Sequence, residues 1–460
     1  MLEPSTPSGQ KTSRTWGRFA RLVAIFAGAI ALFSVLMILT YALPSARIES
    51  HVAESVPQLK ADGLAYTPMF RSQAYLVDTF TDAIMLDIAL RQDRDIVDAA
   101  FGGYHGSVEA EREWSDPIGA LELAASGNRF REHEYARYWH GYLVFLRPAL
   151  MFLDYGEIRY LNVLTLGALA IALASLMSRK IGGPAAGMFI LSLLLTGFYI
   201  TPFSIQLSTM PYLMLVACLA LVAFTDEAWF RHADIEFFLI VGMLTSFLDL
   251  LTAPLLTLGM PLSIALLMRV RQGTSTRDNW VFTGSVIVSW CLGYLGAWLA
   301  KWALAWVALD SNQIAIAARQ VAVRTGVGGG PSQILGAVWR NVRLLFPLFV
   351  NDGVGLVDGL VLNPRFLPLV FLGVLAICTL ILFRKPWPEF RRYSPLVAPL
   401  ILPYLWFAVA SNHSGLHPWM TYRIQAMAIL AAAILSLGLF DCEKFRAIGS
   451  GRGHTAGSGD

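Results

Sequence analysis

Leu22-Val-Ala-Ile-Phe-Ala-Gly-Ala-Ile-Ala-Leu-Phe-Ser-Val-Leu-Met-Ile-Leu-Thr-Tyr-Ala42 decides the class of this chain. The stretch holds no charged side chain and is long enough to cross a hydrocarbon layer, which takes about 20 residues. Lys11, Arg14, Arg18 and Arg21 stand just before it. Similar apolar segments follow, and we read ten spans in all, near 19–43, 158–178, 183–200, 204–223, 236–251, 253–269, 280–302, 366–383, 394–411 and 422–440. The pair 236–251 and 253–269 is divided by Thr252 and Pro254. Only 15% of the 460 residues are charged and 56% are hydrophobic, whereas soluble domains carry about 25% charged residues. The expected fold is therefore an all-α polytopic membrane protein.

Basic residues set the orientation. Cytoplasmic loops carry an excess of Lys and Arg. Arg179 and Lys180, Arg231, Arg269, Arg271 and Arg277, Arg384, Lys385, Arg391 and Arg392, and finally Lys444, Arg446 and Arg452 all fall on one side if the N-terminus is cytoplasmic. This predicts both termini inside and an integral protein of the bacterial inner (plasma) membrane. Ala42-Leu-Pro-Ser-Ala46 resembles a cleavage site, but the apolar run outlasts the roughly 7 to 15 residues of a signal peptide. It reads as an uncleaved anchor.

The organisation that follows is a cytoplasmic tail (1–18), a first span (19–43), a long extracytoplasmic loop (44–157), spans two to seven (158–302), a second outer loop (303–365), spans eight to ten (366–440) and a disordered cytoplasmic tail (441–460). None of Cys218, Cys291, Cys378 and Cys442 lies in the long loop, so it has no disulfide framework. Their wide spacing also excludes a thiolate zinc site. A net charge of +3 gives no reason to expect nucleic acid. The run Gly328-Gly-Gly-Pro331 lacks a following Lys-Ser/Thr, so it is a linker rather than a phosphate loop.

Polar residues that persist beside apolar spans are functional candidates, because burying them at a membrane is costly. In Tyr75-Leu-Val-Asp-Thr-Phe-Thr-Asp-Ala-Ile-Met-Leu-Asp87, Asp78 and Asp82 are four apart and share one face of a helix. The segment reads as an amphipathic helix at the membrane surface. Two neighbouring carboxylates repel, which raises one pKa and suits a general base; the bland alternative is a solvated acidic face. Glu134-Tyr-Ala-Arg-Tyr-Trp-His-Gly141 places Arg137 and His140 among aromatics, either as an anion site or as an interfacial belt. The run 142–153 is too short to span and contains Arg147-Pro148, so it is re-entrant or interfacial.

Ser411-Asn-His-Ser-Gly-Leu-His-Pro-Trp-Met-Thr-Tyr-Arg423 joins two spans on the outer side. Arg423 opens the last helix where positive charge is unusual, which points to an anion. His413 and His417 are four apart, but Gly415 and Pro418 break the helix that paired metal ligands need, so the segment reads as an anion or substrate site or as a hydrogen-bonded structural loop. Asp249, in Ser246-Phe-Leu-Asp-Leu-Leu-Thr-Ala-Pro254, ends the fifth span and is expected to line a cavity. No metal and no cofactor is required by these residues.

A first span, a long outer loop with acidic residues and many further spans together resemble the GT-C glycosyltransferase superfamily, which uses polyprenyl-phosphate-linked sugars. Asp78 and Asp82 are the nearest match to its acidic signature. The resemblance implies a lipid-linked sugar donor, a glycan, lipid or protein acceptor at the cell envelope, and a base at Asp82 or Asp78. Arg423, His417, His413, Arg137, His140 and Asp249 would then contact substrate and its phosphate. The alternatives are a transporter or flippase of a lipid-linked cell-envelope precursor, and a non-catalytic membrane scaffold.

Overall fold

The computed structural model describes residues 8–68, 72–90, 94–109, 112–128, 131–226, 233–326, 329–346 and 391–439. The first apolar segment is one continuous helix, α1 (Ser8–Tyr41). Only 11% of its apolar stretch is buried, as befits a helix whose surroundings are acyl chains.

The long loop that follows is a packed subdomain. It contains α2 (Ser45–Asp62), α3 (Thr79–Ala89), α4 (Ile96–Gly102), an antiparallel ribbon of β1 (His105–Ser107) with β2 (Arg131–His133), α5 (Pro117–Ala125) and α6 (Leu143–Leu150). Ile48, Leu59, Leu86, Trp139 and Leu146 form its core together with Tyr41 at the end of α1. Here the structure corrects one expectation. Helix α3 does not rest on a membrane surface, for every residue from Asp82 to Ala89 is buried. The physical reason is that Ala83, Ile84, Met85, Leu86 and Ile88 make it apolar nearly all round, and such a helix is a core helix. The short run 142–153 holds α6 (Leu143–Leu150), which packs against α1. Its Arg147 is fully buried: Nε donates to the Thr40 carbonyl at 3.0 Å, Nη1 donates to the Ala89 carbonyl, and the guanidinium lies 4.6 Å from the Tyr41 ring.

The remaining chain supplies α7 (Tyr155–Lys180), α8 (Gly183–Leu195), α9 (Ile205–Phe224), α10 (Asp234–Leu248), α11 (Leu256–Arg271), α12 (Thr276–Leu309), α13 (Gln313–Thr325) and α14 (Pro331–Arg343). After the gap in description come α15 (Val397–Val409), α16 (Ser411–Leu416), α17 (Pro418–Thr421) and α18 (Gln425–Leu439). Among the described residues five helical stretches are long and apolar enough to cross a membrane: Gly17–Tyr41, Tyr155–Lys180, Ile205–Phe224, Thr276–Leu309 and Pro418–Ser436. Four more expected spans are shorter helices, namely α8, α10, α11 and α15, and the one near 366–383 lies outside the described residues. The shortening has local causes. Gly197 adopts a left-handed φ of 65° after α8, and Asp249 to Pro254 interrupts α10 and α11, with Leu251 at φ 68°.

Among the described residues α10 and α12 share the most extensive helix–helix contact, and two glycines permit it. A Cβ on Gly242 would collide with the Trp290 carbonyl, and one on Gly293 with the Leu239 carbonyl. Small residues that let backbones approach are the usual device for packing helices in lipid. The loop-side ends of α1, α7, α9 and α12 all meet the subdomain, through Arg147–Thr40, Tyr155–Asp82, Ile205–Asp82 and Trp302–Arg137 contacts. That face, the long-loop side, carries the candidate site.

Candidate functional site

Asp82 lies at the centre of this side. Its Oδ2 accepts the Tyr155 hydroxyl at 2.8 Å and the Ile205 amide at 2.9 Å. Its Oδ1 accepts the Ser204 hydroxyl at 2.9 Å and the Gln206 amide at 3.0 Å. Ser204, Ile205 and Gln206 are the cap and first turn of α9. Helix N-termini present unpaired amides and favour negative charge, so Asp82 serves α9 as a cap supplied from another element. Burial pushes its pKa up to about 7, while the bonds from Gln206, Tyr155 and Ile205 pull it down and the neighbouring Asp78 adds to the rise.

Asp78 caps α3 itself. It accepts the Thr81 amide at 3.0 Å and the Thr81 hydroxyl at 2.9 Å, one on each oxygen. Burial raises its pKa, bonds from Thr81 oppose the rise, and the nearby Trp419 side chain adds to that opposition although its Nε1 makes no hydrogen bond. Asp78 therefore stands beside the segment 411–423. From Trp419 the contacts run on: its ring lies 5.2 Å from that of His417, which lies 5.0 Å from that of His413. His413 Nδ1 meets Arg324 Nη1 at 2.7 Å, and its Nε2 meets the Leu251 carbonyl at 2.8 Å. A guanidinium only donates, so His413 accepts at Nδ1 and carries its proton on Nε2. Burial and the Arg324 charge hold both imidazoles neutral, His417 with a pKa down to about 4 and His413 well below its usual value.

Arg423 is buried behind this row. It donates to the carbonyls of Trp419 and of Ala74, the latter at 3.2 Å, and so fixes the Trp419 backbone against the turn that precedes Asp78. Asp249 lies at the break between α10 and α11, where its Oδ1 accepts the Thr252 amide at 2.8 Å. Its Oδ2 and the Ser246 and Thr252 hydroxyls are buried with no hydrogen-bond partner. Thus Asp78, His417, His413, Arg423 and Asp249 gather on one side of the helices, Asp249 through the Leu251 carbonyl that His413 holds.

His140 stands apart. It has φ 56°, its Nε2 meets the Tyr135 carbonyl at 2.9 Å and its Nδ1 meets the Tyr142 hydroxyl at 3.3 Å. Burial lowers its pKa to about 3, so it is a neutral brace within the subdomain. Arg137 lies 4.1 Å from the Tyr135 ring, with a buried Nε that has no partner, and it borders a groove.

The groove has a volume of about 540 Å³. Tyr294, Leu295, Trp298, Leu299 and Trp302 of α12 form one wall. Ala317, Val321 and Arg324 of α13 form another, and Trp406 and Val409 of α15 close the end. The buried Tyr294 hydroxyl and the Trp298 and Trp406 indole nitrogens lack partners there. Sequence reading missed this wall. The available signal was Arg324, which stands in a stretch, 311–351, with no acidic residue to pair it. Trp419 was quoted but not singled out, because an aromatic in a short outer loop reads equally well as a membrane anchor. Among the described residues no group of three or more His, Cys, Asp or Glu side chains is placed to hold a metal.

Fold and site together define an all-α membrane protein with its polar machinery at one end of the helices. No family model, curated protein or solved structure matches the chain.

Proposed function

We propose that this chain is a membrane glycosyltransferase that moves a sugar from a polyprenyl-phosphate-linked donor to an acceptor hydroxyl on the long-loop side. The observation that carries the reading is the apolar, aromatic-walled groove bordered by Arg137 and Arg324, joined through His413, His417 and Trp419 to Asp78. An isoprenoid chain suits the wall of Leu295, Leu299 and the tryptophans, and a phosphate suits the two arginines.

In this reading the acceptor oxygen bonds to the anomeric carbon of the donor. The bond from that carbon to the phosphate oxygen breaks, and its electron pair leaves on the polyprenyl phosphate. The hydroxyl proton passes to Asp78, whose two oxygens each keep acceptor capacity. Asp82, already accepting four hydrogen bonds, holds α3 and α9 in place instead. Arg137 and Arg324 meet the charge that develops on the leaving phosphate. Arg423 positions Trp419 through its carbonyl.

A second reading rests on a different observation. The α10–α11 break, with Asp249 Oδ2 and the Ser246 and Thr252 hydroxyls unpartnered, resembles the discontinuous helices of transporters. The alternative is therefore a flippase for a lipid-linked precursor. Proteoliposomes loaded with a fluorescent polyprenyl-phosphate sugar decide between them. The transferase predicts sugar transfer lowered by at least about 100-fold in Asp78→Asn, in line with loss of a general base, and weakened donor binding in Arg324→Ala. Lipid movement between leaflets without transfer favours the flippase, and neither binding nor movement refutes both.

A further inference from the structure

We infer that α14 is an interfacial helix that binds anionic phospholipid headgroups on the long-loop side. The inference does not depend on the transferase reading. It begins from charge. Residues 311–351 contain Arg319, Arg324, Arg340 and Arg343 and no Asp, Glu or Lys. None of these arginines forms an ion pair with a carboxylate among the described residues. Arg324 is committed to His413 and the groove, whereas Arg340 spends one nitrogen on the Gly415 carbonyl at 2.8 Å and Arg343 has a buried Nε without a partner.

Position comes next. α12 is a membrane-length helix ending at Leu309, and a left-handed Asp310 turns the chain into α13 three residues later. Gln313 and Ala317 are buried, and Ala317 shares the groove wall with Trp298 and Trp302, so α13 folds back along the end of α12. α14 then docks on the loop-side ends of the last helices. Asn341 does this docking: its Nδ2 donates to the Ser414 carbonyl at 2.8 Å and its Oδ1 accepts the Thr421 hydroxyl at 2.6 Å. Helix α14 therefore lies at the depth where the spans leave the hydrocarbon.

The helix itself is built for that boundary. Ala337, Asn341 and Leu344 are its buried side. Leu335, Val338, Trp339 and Val342 repeat at the i, i+3, i+4, i+7 spacing of one apolar stripe. Leu335 is 69% exposed, Trp339 and Val342 are half-buried, and Val338 leans against the helix core. Arg343 stands beside the stripe, and Arg340 lies one step further round toward the buried side. An apolar stripe bordered by arginines on a helix at the membrane edge matches acyl chains below and phosphates beside it.

The test is hydrogen–deuterium exchange of the full-length protein in nanodiscs of phosphatidylcholine, with and without phosphatidylglycerol. Exchange across 331–343 is expected to slow several-fold when phosphatidylglycerol is present. Arg343→Gln should remove most of that difference while leaving the thermal midpoint unchanged. Leu335→Glu, at an exposed position, should speed exchange in both lipids. Equal exchange in the two lipids overturns the proposal, as does slowing by phosphatidylglycerol that Arg343→Gln leaves intact.

Discussion

Asp82 Oδ1 accepts the Gln206 amide at 3.0 Å across 124 residues of sequence. This bond, with those from Ser204, Ile205 and Tyr155, ties the loop subdomain to the starts of two long helices. Asp82→Ala leaves two hydroxyls and two amides without their acceptor. Each abandoned buried group costs about 1–3 kcal/mol, and partial rehydration offsets part of the sum, so about 3–5 kcal/mol of destabilisation is expected. Thermal unfolding in detergent measures it. A variant as stable as the wild type would show that the subdomain is held by apolar contacts alone.

Asp82 also predicts a pH signature. Its folded pKa, about 7, stands above the ordinary carboxylate value of 3.8. Between those values the folded state holds a proton that the unfolded state has released, so this group's contribution falls as pH rises from about 4 to 7 and is constant outside that window. Asp82→Asn removes the dependence. The difference in unfolding midpoint between wild type and Asp82→Asn should therefore change between pH 5 and pH 8, and a constant difference would refute the assignment.

Gly293 makes a simpler prediction. Its missing side chain is what lets α12 meet the Leu239 carbonyl of α10. Gly293→Leu forces the helices apart and should cost at least about 2 kcal/mol, at the upper end of overpacking effects. The nearby Gly284→Leu, where an added Cβ meets nothing within 4 Å, is the control and should be nearly neutral. Parallel thermal scans of the two variants check this.

Much of this architecture is legible in the sequence, and the parts that are not share a cause. The helix over 19–43 follows from an uninterrupted apolar run, and α1 contains it. The spacing of Asp78 and Asp82 puts both on one face of a helix; in the structure Asp82 lies within α3 and Asp78 is its cap. Spacing did not tell that one caps its own helix and the other caps α9, because that choice is made by Ser204 and Gln206 more than 100 residues away. Likewise, His140 and Arg137 look alike in a list of polar residues. The left-handed backbone at His140 turns its ring onto the Tyr135 carbonyl, whereas Arg137 borders the groove. Local pattern sets the elements; which polar atom remains without a partner depends on contacts that no local pattern encodes.

The histidines set the acid limit of the fold. His140, His413 and His417 all have pKa values lowered by burial, His140 to about 3 and His417 to about 4. A depressed histidine is neutral when folded and charged when unfolded below its ordinary value of 6.5, so stability is lost as pH falls from about 6.5 toward the folded pKa. Asp82 acts in the opposite sense over much of the same range. Each histidine loses about 1.4 kcal/mol per pH unit between those values, and the raised carboxylates Asp78 and Asp82 return part of it. His413→Gln, which keeps a donor for the Leu251 carbonyl but cannot titrate, should lessen the acid loss by about 1.4 kcal/mol per pH unit. An unchanged acid slope would mean that His413 is already protonated when folded, which its acceptance of the Arg324 guanidinium at Nδ1 forbids.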